Sequence, residues 1–324
     1  MAENSTMKPN LKKAPFDVGK LGLLLVFFLM IIAFSLLSGN FLTLDNFRNV
    51  LRQSSILFLV VAGQTIVMLT GGIDLSQGSI ISLVSILTAI GLRDLGLIPG
   101  ILIGLLVGTL CGLVTGWLVG KANLQSFIAS LGMMYVADGF ALIANNGQPV
   151  SDIPSNIIDK FFWLGGGYVG WLPVPLIIAI IIFAICHIFL KSTRSGRYIY
   201  AVGGNEEAAR LSGVNTSRVK ILIFVISGLL CAISSISLTA RIISGQPLLG
   251  TDFTMQSLGA TVIGGTALTG GRGGVFNAVM GVLFIGFMTN GLNILGVPTF
   301  IQRVIIGVVI IISVLLAHVK QKQS

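Results

Sequence analysis

Ile98–Val119 reads IPGILIGLLVGTLCGLVTGWLV, 22 residues without a charge. Crossing about 30 Å of hydrocarbon takes around 20 apolar residues in a helix, so this stretch is long enough to span. The rest of the chain agrees with it. Of 324 residues, 54% are hydrophobic and only 10% charged, with 41 glycines and a mean hydropathy of +0.97. Soluble domains carry about 25% charged residues, so this chain cannot coat a water-facing surface. The same figures exclude a disordered chain. The net charge of +9 is spread along the sequence rather than gathered in one basic domain, which argues against nucleic-acid binding. The expectation is an all-α polytopic membrane protein, surrounded by lipid, with its positive excess on the cytoplasmic side.

Nine further apolar runs flank that stretch. The ten expected spans are 21–38, 54–70, 78–92, 98–119, 127–144, 174–190, 221–240, 254–268, 275–294 and 300–317. The first follows a Lys-rich tail but lacks a small-residue cleavage site, so it reads as an anchor rather than a signal peptide. With the N-terminus inside, fourteen of the twenty Lys and Arg fall on cytoplasmic segments. This favours an N-in, C-in orientation, with Arg48 and Arg52 the main exceptions. The resulting organisation is a cytoplasmic tail (1–20), a transmembrane domain (21–317) with a cytoplasmic loop (191–220), and a C-terminal cytoplasmic tail (318–324).

Few residues offer bond chemistry. Cys111, Cys186 and Cys231 stand alone, and His187 and His318 each end an apolar run. No GxxxxGK[ST] loop is present to cradle ATP, and Gly165–Gly170 matches GxGxxG without the strand and helix that a dinucleotide site needs. No cofactor is expected. Gly104, Gly108, Gly112, Gly116 and Gly120 share one helix face and invite close backbone packing.

The loop 191–220 holds the clearest local signal. Asn205 is a good N-cap, Glu206 and Glu207 suit a first turn, Arg210 suits a last turn, and Gly213 can supply a left-handed stop. So short a helix is marginal alone, which leaves a solvated connector or a helix presented to a soluble partner. Asp74, within Gly71-Gly72-Ile73-Asp74-Leu75-Ser76, lies between two short runs, and it can cap the following helix or touch a solute. Gly264–Gly274 also interrupts apolar sequence, which suggests a two-half repeat. Gly-Gln-Pro recurs at 147–149 and 245–247, each copy ending an outward-running helix. Gln64, Asp74, Asn145, Asn290 and Asn293 are the candidate pathway residues; neutral amides suit hydroxyl-rich solutes, or else they simply join helices.

Several segments together resemble one family. TRSGRYIYAVGGNEEAARLSGVN (193–215), LTGGIDLSQGSIISL (69–83), SFIASLGMM (126–134), NNGQPVS (145–151), GGTALTGGRGG (264–274) and NGLNILGV (290–297) are similar, in order, to the ribose-type sugar permeases of bacterial ABC importers. The resemblance covers roughly 21–317. It implies a permease subunit in the bacterial cytoplasmic (inner) membrane that moves ribose or a related monosaccharide. It also implies three partners: a separate ABC ATPase subunit, an extracytoplasmic sugar-binding protein and a second permease copy. By the resemblance, Gly204, Asn205, Glu206, Ala208, Arg210 and Gly213 belong to a helix that couples to the ATPase. The alternative reading is an ion-coupled secondary transporter of a small polar solute, for which Asp138 is the one strong in-span acid.

Overall fold

The computed structural model describes residues 18–321. The lysine-rich tail with Lys8, Lys12 and Lys13, and residues 322–324, lie outside the described residues. The fold is helical: α1 (Val18–Leu37), α2 (Leu44–Met68), α3 (Gln77–Leu95), α4 (Leu97–Gly120), α5 (Ser126–Ile143), α6 (Ser155–Gly166), α7 (Val174–Ser192), α8 (Arg194–Gly204), α9 (Glu206–Leu211), α10 (Thr216–Ile242), α11 (Phe253–Ile263), α12 (Val275–Ile294) and α13 (Thr299–Gln321). A two-residue hairpin, β1 (Tyr168–Val169) with β2 (Leu172–Pro173), precedes α7.

Seven of these helices, α2, α3, α4, α5, α7, α10 and α12, are long and apolar enough to cross a membrane. Three expectations about the spans change. The second apolar run is not short, because α2 starts at Leu44, where Thr43 accepts the Asn46 N–H, and it runs 25 residues. The loop 145–173 contains a helix, α6, that hydropathy did not mark. The expected span 254–268 is a helix of only 11 residues, Phe253–Ile263. The chain before it runs back along α3. Gln246 N donates to Ser85 Oγ at 3.1 Å and Gly250 N to Ser82 Oγ at 3.0 Å, and Gly250 reaches the backbone of Gly78. From Ile86 to Gly78, α3 falls about 12 Å, and α11 adds about 16 Å, together close to one hydrocarbon thickness.

The centre of the bundle is α10 between α2, α3 and α4. The glycine face of α4 packs within the chain: Gly108 meets Gly228 and Ala232, Gly116 meets Ile221, and Gly120 meets Ser217. Hydroxyls tie the other helices to α10. Ser234 donates to Ile56 O at 2.9 Å, Ser235 to Ile81 O at 2.6 Å and Thr239 to Ser85 Oγ at 2.7 Å. These registers make α10 antiparallel to α2 and α4 and parallel to α3.

The connecting segments sort into two ends. At one end, Ser126 Oγ accepts from Ile73 N at 3.1 Å and Gly271 N donates to Leu69 O at 2.9 Å. At the other, Val150 and Gly245 form a reciprocal backbone bridge, so the two Gly-Gln-Pro segments meet. Arg93 pairs with Asp152 at 3.6 Å, Arg303 with Asp252 at 2.9 Å, and Asn46 exchanges amide bonds with Asn290 at 2.9 and 2.8 Å at that same end.

Candidate functional site

At the first end three glycine-bearing segments converge. α8 begins where Thr193 accepts the Gly196 N–H at 3.0 Å. It buries Ile199 and Val202 and leaves Tyr198 exposed. Its penultimate residue, Gly203, lies against the end of α2 and against the 264–274 interruption. A Cβ there would lie 2.6 Å from Gly271 N and closer still to Leu69 O. Tyr200 donates to Gly273 O at 3.0 Å, and burial pushes its phenol above the usual range, so it stays a protonated donor. The interruptions at 71–76 and 264–274 therefore touch each other and α8 together.

α9 follows directly. Asn205 Oδ1 accepts from Ala208 N at 2.9 Å, and Gly213 closes the turn at φ +83°. Arg210 binds Glu207 at 2.7 Å, and that carboxylate holds the guanidinium above its usual range. Glu206 reaches Lys220 on α10 at 2.6 Å. Gly204, Asn205, Glu206, Ala208, Arg210 and Gly213 are all exposed, and so is Leu211, at 80%. An apolar side chain that open, next to the Glu207–Arg210 ion pair in sequence, is a ready anchor for a partner.

Deeper in the bundle the broken segment is held by a closed polar network. Asp74 is 1% exposed. One carboxylate oxygen accepts from Ser76 N at 3.0 Å and Ser76 Oγ at 2.6 Å, the other from Ser227 Oγ at 2.8 Å. Gln77 donates to Val60 O and Ser227 Oγ, both at 3.1 Å, and accepts from Ser257 Oγ at 2.7 Å. Four elements, α2, α3, α10 and α11, are thereby joined around one turn of irregular backbone. Every polar atom of the Asp74 and Gln77 side chains has a partner, as buried groups require.

Toward the second end lies a cavity of about 210 Å³. It is lined by Gln53, Ser54, Ile56 and Leu57 of α2, Leu238 and Arg241 of α10, Phe253 and Gln256 of α11, and Ile285, Gly286 and Thr289 of α12. Its volume far exceeds the ~10–15 Å³ that one water needs. Ser54 Oγ and Thr289 Oγ1 are buried and make no hydrogen bond within the protein. Two amides, two free hydroxyls and a guanidinium on otherwise apolar walls can hold a hydroxyl-rich solute and cannot break its bonds.

Residues 46–314 match the family described as "Branched-chain amino acid transport system / permease component". The chain is 44% identical over 313 residues to the ribose import permease protein RbsC of Bacillus subtilis (strain 168), covering 95% of this chain and 96% of that protein. It is 40% identical over 299 residues to the probable ABC transporter permease protein YphD of Escherichia coli (strain K12), covering 92% and 89%. It is 35% identical over 329 residues to the L-arabinose transport system permease protein AraH of the same organism, covering 99% and 98%. The chain belongs to this permease family. No solved structure matches it.

The permease is thus a multi-pass protein of the bacterial inner membrane and a transport subunit rather than an enzyme. Its family implies a separate ATPase subunit and a periplasmic sugar-binding protein. Among the described residues no group of His, Cys, Asp and Glu could hold a metal ion. None of the five pathway candidates lines the cavity. Asp74 is tied to Ser76 and Ser227. Asn145 donates to the Gln148 and Pro149 carbonyls at 2.9 and 3.2 Å. Asn290 pairs with Asn46, and Asn293, exposed, accepts from Gln302 at 2.8 Å. Of these five, Gln64 alone is both wholly buried and without a hydrogen-bond partner. Sequence reading missed Ser54, Thr289, Gln53, Gln256 and Arg241. Single polar residues on apolar helices carry no local mark of what they face.

Proposed function

We propose that this permease carries ribose or a closely related monosaccharide inward, as one of two identical copies, powered by an ATPase that docks on α8 and α9. The convergence of α8 with both glycine interruptions, Leu69–Gly71 and Gly270–Gly273, carries this reading. An ATPase pushing on α9 would move α8, and α8 bears through Gly203 on the ends of the segments leading to α2, α3, α11 and α12. Three of these helices, α2, α11 and α12, line the polar cavity. Gly204, Asn205, Glu206, Ala208, Arg210 and Gly213 form the docking surface together with Leu211. The names of the relatives, ribose and L-arabinose transport proteins, support a pentose as the solute.

In this reading the chain crosses ten times, with α1, α11 and α13 adding to the seven long helices, and both termini lie in the cytoplasm. The excess of Lys and Arg on alternate segments supports that orientation. The cavity is the outward-facing station of the path. Gln64 sits seven residues inward of Leu57 on the same face of α2, about 10 Å deeper, and forms the second station. A buried amide without partners costs on the order of 1–3 kcal/mol, consistent with a group whose partner is a transient solute.

The test is uptake of labelled ribose by proteoliposomes holding the permease, its ATPase and its binding protein, with ion gradients collapsed by ionophores. ATP-dependent uptake that is lost without the ATPase supports the assignment. Uptake that needs a gradient and ignores ATP overturns it in favour of an ion-coupled carrier.

A further inference from the structure

Arg241 is the one ionisable residue lining the cavity. It ends α10, where the helix dipole offsets part of its charge, and its Nη2 donates to Asn49 Oδ1 at 3.4 Å. A second cation stands beside it. Arg52 donates to the Tyr168 hydroxyl and lies 4.7 Å from that ring's centre, and it follows by one helical turn of α2 the Asn49 to which Arg241 donates. Among the described residues neither arginine has an ion-pair partner. Four carboxylates at this end are engaged elsewhere: Asp45 by Arg48, Asp94 and Asp152 by Arg93, and Asp252 by Arg303. Asp159, on the exposed face of α6, pairs with neither arginine. Two half-buried like charges without a counter-ion put a positive potential over a cavity with low-dielectric walls, where it is screened least. The buried, unpartnered Ser54 hydroxyl and that of Thr289 share the cavity with Arg241 and await a polar solute.

We propose that Arg241, reinforced by Arg52, is a specificity determinant of the cavity. It admits neutral and anionic hydroxyl-bearing solutes, donates to their oxygens beside Ser54 and Thr289, and rejects cationic ones such as amino sugars. This rests on the cavity being the sugar path, and the experiment separates the two ideas. In the reconstituted importer, with Cys111, Cys186 and Cys231 replaced by alanine, a single thiol is introduced by Gln53→Cys or, from the facing wall, Gln256→Cys. Its reaction rates with anionic, cationic and neutral methanethiosulfonates are compared with those of free cysteine in the same buffer.

The expected anionic-to-cationic rate ratio is about tenfold above that of free cysteine. Arg241→Gln should bring it close to the free-cysteine value, while Arg241→Lys keeps it high. A ratio at or below that of free cysteine, with Arg241 in place, overturns the proposal without any variant at 241. So does a high ratio that Arg241→Gln leaves unchanged while the neutral reagent's rate holds. Ribose protection against the neutral reagent reads the path itself. Protection with a flat charge ratio sinks the filter alone, and a high ratio without protection sinks the sugar path.

Discussion

Replacing Gly203 by alanine tests the junction on which coupling depends. The added Cβ would sit 2.6 Å from Gly271 N, whereas unstrained non-bonded contact begins near ~3.5 Å. α8 must therefore withdraw by about 1 Å, and further to clear Leu69 O. Overpacking of this kind costs about 1–3 kcal/mol. The Gly271 N–H to Leu69 O bond at 2.9 Å is also strained, at a further ~0.5–1.5 kcal/mol. Alanine returns about 0.5–1 kcal/mol of helix propensity, which leaves a net loss of about 0.5–4 kcal/mol concentrated where α8 meets the membrane bundle. Thermal unfolding in detergent should show a lowered midpoint, and proteoliposomes should take up less ribose per ATP hydrolysed. The neighbouring glycine is an internal control. A Cβ on Gly204 meets nothing within 4 Å, so Gly204→Ala should leave the midpoint unchanged or raised. If Gly203→Ala matches the wild type in both assays, or Gly204→Ala lowers the midpoint equally, the reasoning about this junction is wrong.

Asp74→Asn replaces an acceptor oxygen with a donor facing Ser76 or Ser227; thermal unfolding should reveal a loss of about 1–3 kcal/mol, and an unaltered midpoint would contradict the network. Leu211→Asp should leave membrane insertion and unfolding intact but abolish copurification of the ATPase; retained copurification removes Leu211 from the docking surface. Asn205→Ala deletes the α9 cap and should cost about 1 kcal/mol, read as faster proteolysis of the 205–213 segment in the permease without its ATPase. Single cysteines from Ser151→Cys and Ser195→Cys in a cysteine-free background should label only from the outside and only from the inside respectively, and the reverse pattern inverts the topology.

Local features were legible before any coordinates. The α9 cap at Asn205 and its stop at Gly213 are written in neighbouring residues, and the observed helix follows them. The glycine face of α4 announced a close approach, and only the fold identified its partners as α10 and, at Gly104, also α3. For Asp74, sequence left open a helix cap or a solute contact; the carboxylate is taken by Ser76 and by Ser227, which is 153 residues away along the chain. The 11-residue α11 looked like a longer span because hydropathy averages over a window and cannot see the chain turn at Gly264–Gly265.

Composition and apolar spacing alone established a helical membrane protein, because burying backbone in lipid leaves few other solutions. Ordered Gly, Asn and Asp motifs added its likeness to sugar permeases. The tertiary structure decided where solute chemistry can occur. Ser54, Arg241, Gln256 and Thr289 come from four different helices, α2, α10, α11 and α12, and whether each faces a neighbour, lipid or a cavity depends on how every helix is rotated against the others. That rotation is set by packing summed over the whole bundle, and no local stretch of sequence encodes it.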